Sequence, residues 1–416
     1  MAPLPHYSLF FIELHCYGPN THDHLAKLVL QETDPNLIKK GKIQIINVHP
    51  HEDTFFELFH CISNKIDPFS GNVSEYQAAS FLINKLFTKD IIIFGFNCAN
   101  FSKNIRNIIF RNFLPLDFPS KQCKFVDILS ILSVYRFLNI IQMETSDDIE
   151  KQWELFVKYT NYQEVDNSTK HNTSSKIIEI AKWLKQKNEK VFNYYTVNKS
   201  EDIKSSNFKN NLFLNLSHKN INNNKSPIFL PIKKINKTNY CFLNISDSLL
   251  DFNNIANSLF LDKDYFANMY THLSIIKKFP QVSILYDDEV LKSNLLFINK
   301  NKEKFEIIIN KYIELLQMDR EKLETEKQLY LSLSRSDHEN TPKKISKTNS
   351  KLEKMYFKFR GRNYNFYLNH QEQQEWFDYI HKLKNNYRED FELALKKAFE
   401  VFSYDKKILQ LLQKFM

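Results

Sequence analysis

YSLFFIELHCYG, residues Tyr7–Gly18, is the stretch on which the reading of this chain turns. Its apolar run from Leu9 to Ile12 predicts a buried strand, and Gly18 predicts the turn that ends it. Successive side chains on a strand point to opposite faces, so Glu13 and His15 share one face while Leu14 packs on the other. A carboxylate beside an imidazole at a strand end is a candidate polar site. Taken alone, the segment also reads as an ordinary strand with a polar end emerging at a turn.

Outward from this strand, Leu25–Glu32 (LAKLVLQE) and Lys42–Val48 (KIQIINV) read as further strands, with Asp34-Pro35-Asn36 turning the chain between them. The result is a three-strand meander. Ser74–Phe87 has a Ser cap and apolar residues at helical spacing, and it leads into Asp90–Phe94 (DIIIF), a short buried strand ending at Gly95. Helical patterns follow at Ser102–Phe113, Lys124–Leu138 and Ser174–Lys190. Residues 1–200 therefore predict an α/β domain, a mixed sheet with helices packed on it.

Asn, Ser and Lys dominate from Thr196 to Pro227, which marks a boundary or long surface loop. Beyond it, Ile228–Ile232 and Asn239–Ile245 read as short strands of a small β-rich module, and a helical run from Lys263 to Lys278 stops at Pro280. This module and its helical extension occupy residues 201–321. Lys300–Leu333 is a long charged helix, and Ser334–Lys351 reads as a solvated loop. Leu352–Phe415 is helical and amphipathic apart from an aromatic-rich connection at Gly361–Leu368, so residues 322–416 form a helical domain.

A chain of 416 residues exceeds one compact core. With 43% hydrophobic and 25% charged residues it reads as globular rather than disordered or fibrous. Its 57 Lys and Arg against 48 acids leave a net charge of +9, which permits a polyanionic partner without demanding one. Abundant Lys, Asn, Ile, Phe and Tyr beside only 5 Gly match the codons of an AT-rich gene, so part of that charge reflects nucleotide composition. Cys16, Cys61, Cys98, Cys123 and Cys241 are odd in number and contain no C-x-x-C, which suggests neither a disulfide framework nor a zinc site. The N-terminus has no basic segment with a cleavage site, and no run is long enough to cross a membrane, so a cytoplasmic location is expected.

The most specific signal lies at Leu352–Trp376, LEKMYFKFRGRNYNFYLNHQEQQEW. This stretch resembles the C-terminal helical domain of the bacterial exonuclease I family, single-strand-specific 3′→5′ exodeoxyribonucleases, whose pattern there is F-x-Y/F-R-A/G-R-N-F/Y, then L, then E-x-x-x-W. The likeness continues in the same order through QLYLSLSRSD at Gln328–Asp337, KKFPQV at Lys277–Val282, GFNCANF at Gly95–Phe101, FRNF at Phe110–Phe113 and VFNY at Val191–Tyr194. It implies three parts that clasp single-stranded DNA: an RNase H-like exonuclease domain, an SH3-like module and a C-terminal α-helical domain. It also implies Mg²⁺ as cofactor, single-stranded DNA and single-strand DNA-binding protein as partners, and a place in DNA repair and recombination.

The family's chemistry uses four carboxylates and a histidine, and none of those positions is intact. The family's D-Y-E-T-F/Y-G becomes Glu13-Leu14-His15-Cys16-Tyr17-Gly18, so the pair expected to hold metal is Glu13 and His15. The second-motif Asp falls at Ser102, and the final H-x-x-x-x-D falls at Ser168 and Thr173. Two Mg²⁺ ions a few ångströms apart are tolerable only inside a cage of anionic oxygens. His15 is a poor Mg²⁺ ligand, and Ser102 and Thr173 offer neutral hydroxyls. Without a histidine at position 168 there is also no general base of suitable pKa, so hydrolysis is expected to be weak or lost.

Three functional readings follow. The chain is a 3′→5′ exonuclease with a rebuilt site on Glu13 and His15, a scaffold that binds single strands without cutting, or a relic with no retained activity. Arg360, Arg362 and Tyr364, beside Tyr356 and Phe359, are the DNA-binding candidates, because basic and aromatic residues interleave there. Their structural alternative is that the rings are core and the arginines bind neighbouring acids or carbonyls. His6, His22, His24, His49 and His51 match no metal-ligand spacing and read as surface or core histidines.

Overall fold

A computed structural model describes residues 8–20, 23–86, 91–96, 98–114, 123–162, 173–198, 213–215, 228–234, 239–245, 249–250, 259–263, 270–272, 288–335, His338 and 350–414. Strand β1 (Ser8–Cys16) is antiparallel to β2 (Leu25–Thr33), which is antiparallel to β3 (Lys39–Asn47). With β4 (Ile91–Gly95) and β5 (Cys123–Asp127) they form one five-stranded sheet in the order β3-β2-β1-β4-β5. The strand that decides the fold is therefore central. Leu9, Phe10, Phe11 and Ile12 are all buried, as a strand covered on both faces requires.

Helices α1 (Leu58–Ser63), α2 (Glu75–Leu86), α3 (Cys98–Arg111), α4 (Ile128–Phe137), α5 (Ile149–Thr160), α6 (Thr173–Lys187) and α7 (Glu189–Asn193) complete the N-terminal half. The helix expected over Lys124–Leu138 begins late, because Lys124 to Asp127 belong to β5. Asp127 explains the switch: its carboxylate accepts from the Leu129 N–H and caps α4, so the chain before it is extended. Helices α1 and α5 were not anticipated, although the Asp148 cap and the spacing of Ile149, Trp153 and Phe156 mark α5 in the sequence.

A second five-stranded sheet, antiparallel throughout, is built from β6 (Phe213–Asn215), β7 (Ile228–Lys234), β8 (Asn239–Asn244), β9 (Leu259–Lys263) and β10 (Tyr270–His272), in the order β10-β6-β7-β8-β9. The helical run expected over Lys263–Lys278 contains a strand instead at Tyr270–His272, held by backbone pairing to β6. Sheet pairing between distant segments overrides the local pattern there. The C-terminal part is helical: α8 (Asp288–Lys300), α9 (Lys302–Ser334), α10 (Ser350–Asn363), α11 (His370–Val401) and α12 (Lys406–Gln413). α10 runs on through Gly361 to Asn363, three residues into the stretch expected to be a connection.

The chain divides into two compact units. One comprises Met1–Ile93, Ala99–Lys124 and Glu324–Met416, and the other Phe94–Cys98 and Phe125–Leu323. In the first, Phe113, Tyr330, Leu333, Leu352, Tyr356 and Phe359 form one core cluster, so α9 and α10 are packed on the end of α3. In the second, Asn294 of α8 holds the segment that follows β8, accepting from the Leu250 N–H at 2.7 Å and donating to the Ile245 carbonyl at 3.0 Å. Among the described residues no helix is long and apolar enough to cross a membrane.

Candidate functional site

Glu13 and His15 share one face of β1, as strand alternation requires. Glu13 is buried, His15 is half-buried, and Glu13 Oε2 lies 3.1 Å from His15 Nε2. Each side chain thus occupies an atom of the other that a metal ion would need. In the β1–β2 register His15 stands opposite Lys27, which places a cationic side chain on the same face. Lys27 was not singled out in the sequence, because alternation within LAKLVLQE does not say which face of β1 it meets; the register does.

This donor set does not fit a pair of Mg²⁺ ions. It offers one carboxylate, already engaged by an imidazole, with a lysine on the neighbouring strand. Mg²⁺ requires hard oxygen ligands and an anionic surround. Among the described residues no group of three His, Cys, Asp or Glu side chains is placed to hold a metal ion. Of the other expected positions, Ser102 lies within α3 and Thr173 is the first residue of α6, while Ser168 lies outside the described residues, as do His6 and His22.

The turn after β1 is fixed from both sides. The Tyr17 N–H donates to the His24 carbonyl at 2.9 Å, and the Tyr17 hydroxyl donates to the Val48 carbonyl at 2.5 Å. A Cβ at Gly18 would run into the Asp23 carboxylate, so any larger residue there must displace that side chain from the turn. The Asp23 carbonyl in turn accepts from Arg111 Nη2 at 2.8 Å.

Arg111 and Asn112 are the middle of FRNF, and their partner is Glu75, one of the most deeply buried charges of the unit. Glu75 accepts from Arg111 Nε at 2.8 Å and Nη2 at 2.5 Å, from Asn112 Nδ2 at 2.8 Å and from the Leu25 N–H at 2.7 Å. Burial opposes its charge, but the Arg111 guanidinium and these donors outweigh it and hold the carboxyl well below the usual range. The flanking rings Phe110 and Phe113 both stack on Tyr330, at 4.9 and 5.0 Å. All four residues of FRNF are thus architectural: they clamp α3 to β2, α2 and α9.

His24 and His51 sit in the same polar interior. His24 Nδ1 is 2.8 Å from Thr54 Oγ1, the two rings lie 6.4 Å apart edge to face, and burial pushes the His24 imidazole down to about 4. His51 is lowered for the same reason. Of the histidines read as surface or core, His24 and His51 thus lie in the interior, while His49 is exposed.

Arg360, Arg362 and Tyr364 are gathered into the fold. Arg360 is buried and donates to Glu372 at 2.6 Å and 3.3 Å and to the Tyr367 carbonyl at 3.3 Å. Arg362 donates in a two-pronged pairing to both Asp53 oxygens at 2.7–2.9 Å, holding the Asp53 carboxyl low against its burial. The Tyr364 ring packs on Phe359 and His338 at 5.6 and 5.4 Å. Gly361 lies so close to the Trp376 indole that a Cβ would enter the ring. Every distinctive residue of FRGRNY, together with the E-x-x-x-W that follows, therefore has an internal partner. The rings left to solvent are ones the pattern did not single out: Phe366, 96% exposed, with Tyr367 and Phe377.

No protein-family model matches the chain, and no curated protein matches it by sequence. Solved structures do match it. An exonuclease I complexed with single-strand DNA-binding protein and an inhibitor aligns with 98% of this chain and 98% of its own at a TM-score of 0.76 and 16% identity. Escherichia coli exonuclease I bound to an oligothymidylate gives 0.74 and 15% over 98% of both chains. Its zinc-bound complex with single-stranded DNA gives 0.69 and 15%, over 98% of this chain and 97% of that one. Both sheets and the C-terminal helices fall within that alignment, and from end to end this chain has the fold of exonuclease I.

Proposed function

We propose that the protein grips single-stranded DNA on an exonuclease I scaffold and hydrolyses it weakly or not at all. The observation that carries this reading is Glu13 and His15 on β1, with Lys27 of β2 opposite His15, on a fold that aligns with exonuclease I over 98% of the chain. A strand face of one acid, one imidazole and one ammonium suits a phosphate better than a pair of dications. On this reading the N-terminal domain is RNase H-like, the second sheet is an SH3-like module, and Ser102, Ser168 and Thr173 stand in sequence where the family carries catalytic residues. Solved neighbours that hold single-stranded DNA, and others in complex with single-strand DNA-binding protein, make both the candidate partners. Arg360 and Arg362 then serve by holding the scaffold, while the exposed Phe366 and Tyr367 are the stacking surfaces for bases.

The test pairs digestion with binding on the same 3′-labelled strand. Affinity falls steeply with added salt, because each neutralised phosphate releases counterions, and duplex of equal length binds less well. Phe366→Ala weakens binding by about 1–3 kcal/mol. No Mg²⁺-dependent shortening follows. Robust Mg²⁺-dependent degradation abolished by Glu13→Ala would return the chain to the active exonucleases, and absence of any single-strand binding would leave the relic reading.

A further inference from the structure

We infer that the C-terminal end of α11, together with α12, forms a strap that hinges at residues 384–390 and closes on α1. Every residue of that stretch, in the middle of α11, is exposed. A helix lying on a core hides one side chain in every three or four, so an exposed run of nearly two turns is covered on no face.

The two ends of α11 are packed, each on a different element. At the N-terminal end Trp376 and Ile380 are buried with Leu368, Glu372 pairs with Arg360 of α10, and Gly361 of α10 lies against the Trp376 ring. At the other end Ala398, with Leu412 of α12, is buried against Leu58 and Ile62 of α1. Between Ile380 and Ala398, about 27 Å along the axis, α11 has no buried side chain among the described residues. Residues 384–390 make side-chain contacts within the helix, Asn385 with His381 and Arg388 with Glu392. Among the described residues one ring contact leaves it: Tyr387 lies 4.5 Å from Phe55, and the two rings remain 40% and 43% exposed.

The amino acids weaken the same stretch. Asn385, Asn386, Tyr387 and Asp390 are poor helix formers, and Asn and Asp side chains compete for backbone groups. Low propensity without covering contacts makes local opening easy here. The anchors also differ in strength. The N-terminal one has the Arg360–Glu372 pair and a capping box at Asn369 and Glu372, whereas the C-terminal one adds to its apolar contacts the exposed Lys414–Asp67 pair. The C-terminal end therefore releases first, with Phe55 and Tyr387 as its latch.

Hydrogen–deuterium exchange on the full chain, read by mass spectrometry, tests the strap. Amides of residues 384–391 should exchange at least about tenfold faster than those of residues 375–380. Asn385→Ala combined with Asn386→Ala should slow that exchange about three- to tenfold, and Phe55→Ala, which lies off the helix, should speed it by about the same factor. Leu412→Ala separates a strap from a helix that frays alone: it alters the α1 contact and not residues 384–390, so exchange there rises only if undocking and hinge opening are one event. Exchange at residues 375–380 should stay unchanged in every variant. Equal protection of the middle and of residues 375–380, or a middle indifferent to Leu412→Ala or to Phe55→Ala, would overturn the strap. An equal rise at residues 375–380 would mean that the whole end of the chain loosens together, which overturns the hinge as well. Each result reads the same whether or not the chain binds single strands.

Discussion

Replacing Glu75 by Ala tests whether the charge cluster behind the candidate site holds the first unit together. The side chain is 1% exposed and accepts bonds from four donor groups: Arg111 Nε, Arg111 Nη2, Asn112 Nδ2 and the Leu25 N–H. Removing it strands a guanidinium whose side chain is only 11% exposed and leaves two neutral donors without their acceptor. Breaking a buried pair from one side costs about 3–5 kcal/mol, because the remaining charge is buried without compensation. Removing both charges together costs less, so Glu75→Leu with Arg111→Met should lose under about 2 kcal/mol, an interaction energy of several kcal/mol in the double-mutant cycle. Urea unfolding followed by far-ultraviolet circular dichroism measures all four corners of the cycle. If Glu75→Ala costs less than about 1 kcal/mol, or if Arg111→Met costs the same with and without Glu75, the cluster is not the clamp described here.

Stability should also fall with acid through His24, whose folded pKa of about 4 lies below its ordinary 6.5. The unfolded chain takes up the proton first as pH drops, so this contribution is complete above 6.5 and lost between 6.5 and 4, worth about 3 kcal/mol. A His24→Gln variant should flatten that part of the stability-against-pH curve, whereas the depressed carboxyls Glu75 and Asp53 act only below their own unfolded values, at lower pH. At the other end of the unit, Gly361→Ala forces a methyl into the Trp376 ring and should cost about 1–3 kcal/mol by thermal or urea melting. Gly41→Ala serves as its counterpart: nothing surrounds that position, and only the φ of +66° opposes the change, so about 1 kcal/mol is expected.

Periodicity alone placed β1, put Glu13 and His15 on one face, and marked the meander, the α2 to β4 succession and the long C-terminal helices. These are features whose cause is local: a period of two or 3.6, a cap, or a glycine. The stretches FRNF and FRGRNY stood out by their resemblance to a family pattern, but that resemblance did not say what their side chains contact. Arg111 finds Glu75 across 36 positions, and Arg362 finds Asp53 across 309, so nothing near either arginine in the chain distinguishes an internal partner from a DNA phosphate. The strand at Tyr270–His272 was hidden for a related reason, since its pairing partner β6 lies more than fifty residues earlier. Residue identity at the β1 face was enough to predict a cage too poor in carboxylates for Mg²⁺. Only the folded sheet brought Lys27 opposite His15 and closed the Glu13–His15 contact, because cross-strand neighbours are set by register, and register is fixed by packing of the whole sheet rather than by either strand alone.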